Sequence, residues 1–265
     1  MGVNDQAAAW LKDYVAGRET LSADDLNLVL RRMGIWRSTL IANTYVARHG
    51  TTVMHGPFAG MTYVAWASEG ALAPRLLGAY EAELHPHLLA FAAEGVDCVI
   101  DVGCAEGYYA VGLARLIPGA TVHAFDINEN ARRACEALAA LNGVGDRVIV
   151  GAAFDPADFE AFAGRNALVV VDIEGAEDDL LDPAASPALA GMRLIVETHD
   201  LFRPGVSQRL RERFAATHDI TVVAHQPNAA ELPSWLNDLT HMDRLLAVWE
   251  WRSGPTPWLV MRPKG

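Results

Sequence analysis

Hydrophobic positions along this chain follow two rhythms. Up to about residue 95 they recur at helical spacing. Residues 5–16 place Trp10, Leu11 and Val15 on one face. Ser22 suits the N-cap of a second helix carrying Leu26, Leu28, Leu30 and Met33. Gly34 is expected to end it, and residues 35–47 to form a third. Residues 51–66 hold β-forming side chains around Gly56-Pro57 and Gly60, a hairpin signal. Pro74 then opens a long helix towards Gly95, broken or kinked at Pro86.

From residue 96 the rhythm changes to short apolar runs separated by turns and helical stretches. Strands are expected at 98–102, 121–126, 147–153, 168–171, 194–197, 220–224 and 258–262. Val99, Ile100 and Val102 are β-branched, as in a strand covered on both faces. Strands alternating with helices imply a parallel α/β sheet, whose ligands bind outside the carboxyl ends of its strands. The chain thus divides into a mostly helical extension, 1–95, and an α/β domain, 96–265.

Composition narrows the function. Half of the 265 residues are hydrophobic, enough for a sizeable core. A net charge of −12 argues against a general nucleic-acid or anionic-membrane binder. No apolar run approaches the ~20 residues of a membrane span, and residues 1–6 do not read as a secretory leader. Cys98, Cys104 and Cys135 are odd in number and fall in core or helix, which suits reduced thiols in the cytoplasm.

The chemistry concentrates at three strand ends. Asp101-Val-Gly-Cys-Ala-Glu-Gly107 runs from a buried strand through a turn into a helix. Gly103 and Gly107 frame the turn, but the middle glycine of a dinucleotide fingerprint is replaced by Ala105. Glu106 would repel a pyrophosphate there and suits an amino group better. Asp126 ends the second strand, where a carboxylate can bind a ribose hydroxyl pair; its other reading is a helix cap. Asp172 and Glu174 leave the fourth strand, and Glu197, His199 and Asp200 the fifth. These strands deliver their polar side chains to one crevice.

The 101–107 turn resembles motif I of class I S-adenosylmethionine-dependent methyltransferases. Asp172-Ile-Glu-Gly-Ala-Glu177, followed by Val196-Glu-Thr-His199, resembles the FkbM-type family of that class. Together the motifs cover about residues 97–225. The resemblance implies a seven-strand Rossmann-like methyltransferase sheet that closes on an antiparallel strand. It also implies O-methylation of a small-molecule or sugar hydroxyl, with S-adenosylmethionine as cofactor. Asp101, Gly103, Cys104, Ala105, Glu106 and Gly107 would hold the methionine portion. Asp126, Ile127, Ala153, Phe154 and Asp172 would flank the nucleoside and the reacting methyl.

For the reaction, His199 is the expected general base, with Asp172 beside it. Asp172, His199 and Asp200 are instead the expected ligands of a divalent metal such as Mg²⁺ that acidifies the hydroxyl. Glu174 and Glu177 are expected to cap the turn and helix, and His241 and Arg244 to belong to a lid. The extension would cover substrate or join two copies of the chain. Rival readings are an N-methyltransferase, an NAD-dependent oxidoreductase and a non-catalytic cofactor-binding module.

Overall fold

The computed structural model describes residues 2–67, 70–226 and 232–264. Its strands are β1 (Cys98–Val102), β2 (Thr121–Phe125), β3 (Val148–Gly151), β4 (Ala167–Val171), β5 (Arg193–Glu197), β6 (His218–Val223) and β7 (Trp258–Pro263). They form one sheet in the order β3-β2-β1-β4-β5-β7-β6. β1 to β5 pair in parallel, while β7 runs antiparallel to β5 and β6. This is the seven-strand Rossmann-like sheet that the resemblance implies. Every residue of β1 and β4 is buried. The strand order reverses beside β1, and a crevice opens there at the carboxyl ends.

The helices are α1 (Val3–Ala16), α2 (Ala23–His49), α3 (Leu72–Leu77), α4 (His85–Ala93), α5 (Tyr108–Leu116), α6 (Glu129–Leu141), α7 (Glu177–Leu180), α8 (Val206–Phe214) and α9 (His241–Ala247). The sheet separates two apolar layers. Val99 joins Val111 and Leu113 of α5, whereas Ile100 joins Leu210 and Phe214 of α8. The leading region shares the first layer: Ile41, Tyr45, Met61, Leu76 and Phe91 pack into it. Its outer end is sparsely covered; α1 has no buried residue, and Leu26 and Leu30 are exposed. Among the described residues no helix is long and apolar enough to cross a membrane.

Three expectations are corrected. α2 is one helix, not two. Gly34 lies inside it because the bare backbone admits Trp249, whose ring would sit 2.9 Å from an added Cβ. The long helix expected after Pro74 is divided into α3, a 3-10 turn at Ala82–Leu84 and α4, with Pro86 in the first turn of α4. The hairpin at 51–66 is a loop with one antiparallel bridge, Thr52 to Thr62.

Between β6 and β7 the described chain forms a 3-10 turn at Ser234–Asp238 and then α9. A bidentate pair from Arg37 to Asp243, both contacts 2.6 Å, docks α9 on α2. His241 and Arg244 are left exposed on α9 and do not line the crevice, which corrects their lid assignment.

Candidate active site

The turn after β1 is fixed by backbone contacts. Gly103 adopts φ +86°, and a Cβ there would lie 1.8 Å from the Asp172 carbonyl oxygen. Its N–H and that of Cys104 both donate to the Phe125 carbonyl, at 2.8 and 3.0 Å. The Cys104 thiol itself is buried. Ala105 N–H donates to Asp126 Oδ2 at 3.0 Å, and Asn128 N–H to Asp126 Oδ1 at 2.7 Å. Asn128, not Asp126, caps α6. Gly107 stands at the N-cap of α5. Asp126 thus braces the turn from the side, and each oxygen keeps further acceptor capacity.

A groove of about 510 Å³ runs past Phe125, Asp126, Ile127 and Phe154 to Asp172. Ile127 is 88% exposed, an unusual position for a large apolar side chain. Phe154 packs on Phe125 at 4.6 Å between ring centroids. Ala152 and Phe154 line the groove, whereas Ala153, also expected there, does not.

Gly103, Asp172 and Glu174 connect this groove to a polar chamber of about 210 Å³. Asp101 lines it from β1, Glu106 from the turn, Glu197 from the end of β5 and His199 from just beyond it. Asp101 is 2% exposed, and its Oδ2 has no hydrogen-bond partner. Burial pushes its pKa up to about 7, with the Asp126 charge adding to the rise. Glu106 is buried and accepts the Tyr63 hydroxyl hydrogen at 2.5 Å.

His199 is 3% exposed. Its Nδ1 lies 2.6 Å from Glu177 Oε1. A carboxylate accepts, so in the neutral ring Nδ1 carries the hydrogen and Nε2 the lone pair. Nε2 faces Glu174 at 3.5 Å, Asp172 at 3.6 Å and Glu197 at 3.7 Å. Asp172 and His199 therefore meet as expected. Burial, with the charges of Glu197, Glu81 and Glu174, drives the Asp172 pKa well above its ordinary value. Glu177 also accepts the Gly175 N–H, the turn contact expected of it.

Asp200 does not join the cluster. Its carboxylate accepts from Gly205 N–H and from the Ser207 hydroxyl, tying down the loop before α8. Glu174 takes its place: Asp172, Glu174 and His199 each offer a ligand atom within 4.8 Å of the other two.

Sequence reasoning missed the opposite wall. Arg75, Tyr80 and Glu81 come from the leading region, and Glu250, Trp251 and Arg252 from the segment before β7. Arg252 binds Glu81 at 2.7 Å, Glu250 at 2.8 Å and Glu197. Tyr109 donates its hydroxyl hydrogen to Glu81. Burial and the Glu197 charge push Glu81 up to about 8, despite Arg252. These residues lie far apart in the chain, and their local sequence carries no motif.

Backbone strain marks the same place. Among the described residues, four besides glycine have positive φ: Glu81, Ala105, Glu174 and Trp251. All four line the chamber. Such conformations cost of order 1–3 kcal/mol each and gather at functional sites.

No protein-family model matches the sequence, and comparison with curated proteins finds no relative. Solved structures give distant likenesses. The O-methyltransferase TomG from Streptomyces achromogenes, in complex with SAM, is 14% identical over 68% of this chain and 81% of its own, with TM-score 0.46. A geranyl diphosphate methyltransferase, also with SAM, is 14% identical over 73% and 89%, with TM-score 0.46. A putative rRNA methylase from Clostridium thermocellum is 15% identical over 68% and 95%, again with TM-score 0.46. At these identities and scores the likeness carries no functional inference.

Proposed function

We propose that the chain is an S-adenosylmethionine-dependent methyltransferase acting on a hydroxyl of a small molecule or sugar, of the FkbM type its motifs resemble. One observation carries this reading: an oriented, buried imidazole stands in a chamber continuous with a groove that suits a nucleoside. The cofactor supplies an electron-poor methyl group on a sulfonium. Asp126 has lone pairs left for ribose hydroxyls, and Ile127 and Phe154 offer apolar faces to adenine. Glu106 and Asp101 offer carboxylate oxygens to the methionine ammonium.

His199 Nε2 would take the proton of the acceptor hydroxyl, freeing its oxygen as the nucleophile for the methyl group that the bound cofactor would supply. Holding the acceptor in line with that methyl group supplies much of the acceleration. The base contributes about 10²–10⁴-fold.

A divalent ion is the second reading. Asp172 Oδ1 is buried without a hydrogen-bond partner, and the donors of Asp172, Glu174 and His199 converge beside it. Such an ion would lower the pKa of a bound hydroxyl. A histidine in the set suits Mn²⁺ or Zn²⁺ better than Mg²⁺.

Calorimetric titration with S-adenosylmethionine, S-adenosylhomocysteine and NAD tests the proposal. Binding of the first two, with NAD silent, is expected. No affinity for either adenosyl compound would overturn it. Loss of methyl transfer after dialysis against EDTA, restored by Mn²⁺, would favour the metal reading over the unaided base.

A further inference from the structure

The chamber is small for what the reaction must put there. At about 210 Å³ it falls below most ligand pockets, which run from about 300 to 1,000 Å³. The methionine portion of the cofactor would take the side of Asp101 and Glu106. What is left holds the hydroxyl end of an acceptor, and the rest of that molecule needs other room.

A second cavity of about 220 Å³ adjoins the chamber. Gly70 and Trp251 line both spaces, so the two meet there. Ala42 of α2, Ala65, Ala67 and Leu72 give the second cavity small apolar walls, and Trp66 and Trp251 add flat rings. Among the described residues none that lines it is ionisable, so a charge placed there would stay unpaired. Trp66 is 48% exposed and marks where the cavity reaches the surface.

Two polar atoms on residues of this wall lack a partner. Ser38 is 1% exposed, and neither its Oγ nor Trp251 Nε1 makes a hydrogen bond. The neighbouring Thr39 hydroxyl, by contrast, is spent on the Ile35 carbonyl at 2.8 Å. Buried polar atoms are seldom left unpaired, and a partner from outside the chain accounts for these two. An indole N–H only donates and a hydroxyl can donate, so that partner offers an acceptor oxygen. Trp251 is also fixed in place: Arg31 of α2 donates to its carbonyl at 2.6 Å, and its backbone holds a φ of +68°.

We infer that the acceptor is a two-part molecule. Its hydroxyl end lies at His199, and an uncharged aryl arm passes Gly70 and Trp251 into the second cavity. A carbonyl or ether oxygen on that arm accepts from Trp251 or Ser38. The inference rests on the methyl-transfer reading and adds to it a shape: an aryl-bearing molecule, larger and less polar than a free sugar.

The full chain, saturated with S-adenosylhomocysteine, is titrated calorimetrically with two sets of compounds. One is phenol, 4-benzylphenol and 4-hydroxybenzophenone; the other is methyl and phenyl β-D-glucopyranoside. In at least one set the aryl arm is expected to tighten binding about tenfold. The ketone is expected to bind about threefold tighter than 4-benzylphenol, which has the same rings without the oxygen. Ala42 and Trp66 line the second cavity but not the chamber. Ala42→Leu, which fills the cavity, and Trp66→Ala, which opens it at the surface, should each cut the gain from the arm at least about threefold. Binding of the arm-free compounds should stay as it was. Arms that gain nothing, compounds that do not bind at all, or a gain that survives both variants overturn the inference. A ketone no tighter than 4-benzylphenol overturns its hydrogen-bonded part. Saturation by S-adenosylhomocysteine is measured first, so failure of the methyl-transfer reading is seen separately.

Discussion

Glu177 holds His199 from behind, its Oε1 2.6 Å from Nδ1. Glu177 is fully buried at the start of α7, so the ring is fixed in direction and tautomer. Desolvation lowers the His199 pKa, but the Glu177 bond and the charges of Glu197, Glu177 and Glu174 outweigh it, and the pKa is raised. A base must be neutral, so kcat/KM is expected to rise with pH through a midpoint above about 6.5. Glu177→Gln weakens the hold on the imidazolium, moves that midpoint down and lowers kcat about 10–100-fold. His199→Ala lowers kcat about 10²–10⁴-fold. A Glu177→Gln pH–rate profile that stays in place would remove Glu177 from this role.

Gly103→Ala is expected to be among the most damaging single changes. Its Cβ would meet the Asp172 carbonyl at 1.8 Å, at a φ that alanine disfavours. Urea unfolding should show a loss above about 3 kcal/mol. A variant of near-native stability would mean that the turn can relax.

Asp101 makes stability depend on pH. Its pKa is about 7 in the fold, whereas an unfolded aspartate titrates at about 3.9. Between these values the unfolded chain ionises first, so this residue costs stability progressively as pH rises and adds no further change above its folded pKa. Melting curves of the ligand-free protein should fall across that window. Asp101→Asn should flatten the fall, and an unchanged slope would point to another group.

Asp200→Ala separates the two acids at the end of β5. Loss of its bonds to Gly205 and Ser207 should cost about 1–3 kcal/mol in denaturant. The pH–rate midpoint assigned to His199 should stay in place. A displaced midpoint would return Asp200 to the reactive cluster.

Local pattern made the sheet readable. β1 and β4 are apolar and β-branched because both faces are covered, and the glycine turn follows at once. Asp172 and His199 were legible because they end strands. Glu174 was misjudged where alternation stops: its φ of +54° turns the chain, and its carboxylate swings into the chamber. Asp200 was misjudged similarly, since the chain turns between His199 and Phe202, whose N–H bonds back to the His199 carbonyl. Gly34 showed that a glycine can mark a close approach as well as a helix end. The Arg252–Glu81 contact joins residues 171 positions apart, a distance no local pattern spans.

Arg252 draws together partners from the leading region, from β5 and from its own loop. Part of the chamber wall is therefore supplied from outside the α/β scaffold that carries the motifs. Deleting the first 95 residues would leave a scaffold whose vessel lacks one side, and would also take away Tyr63, which holds Glu106 of the turn after β1.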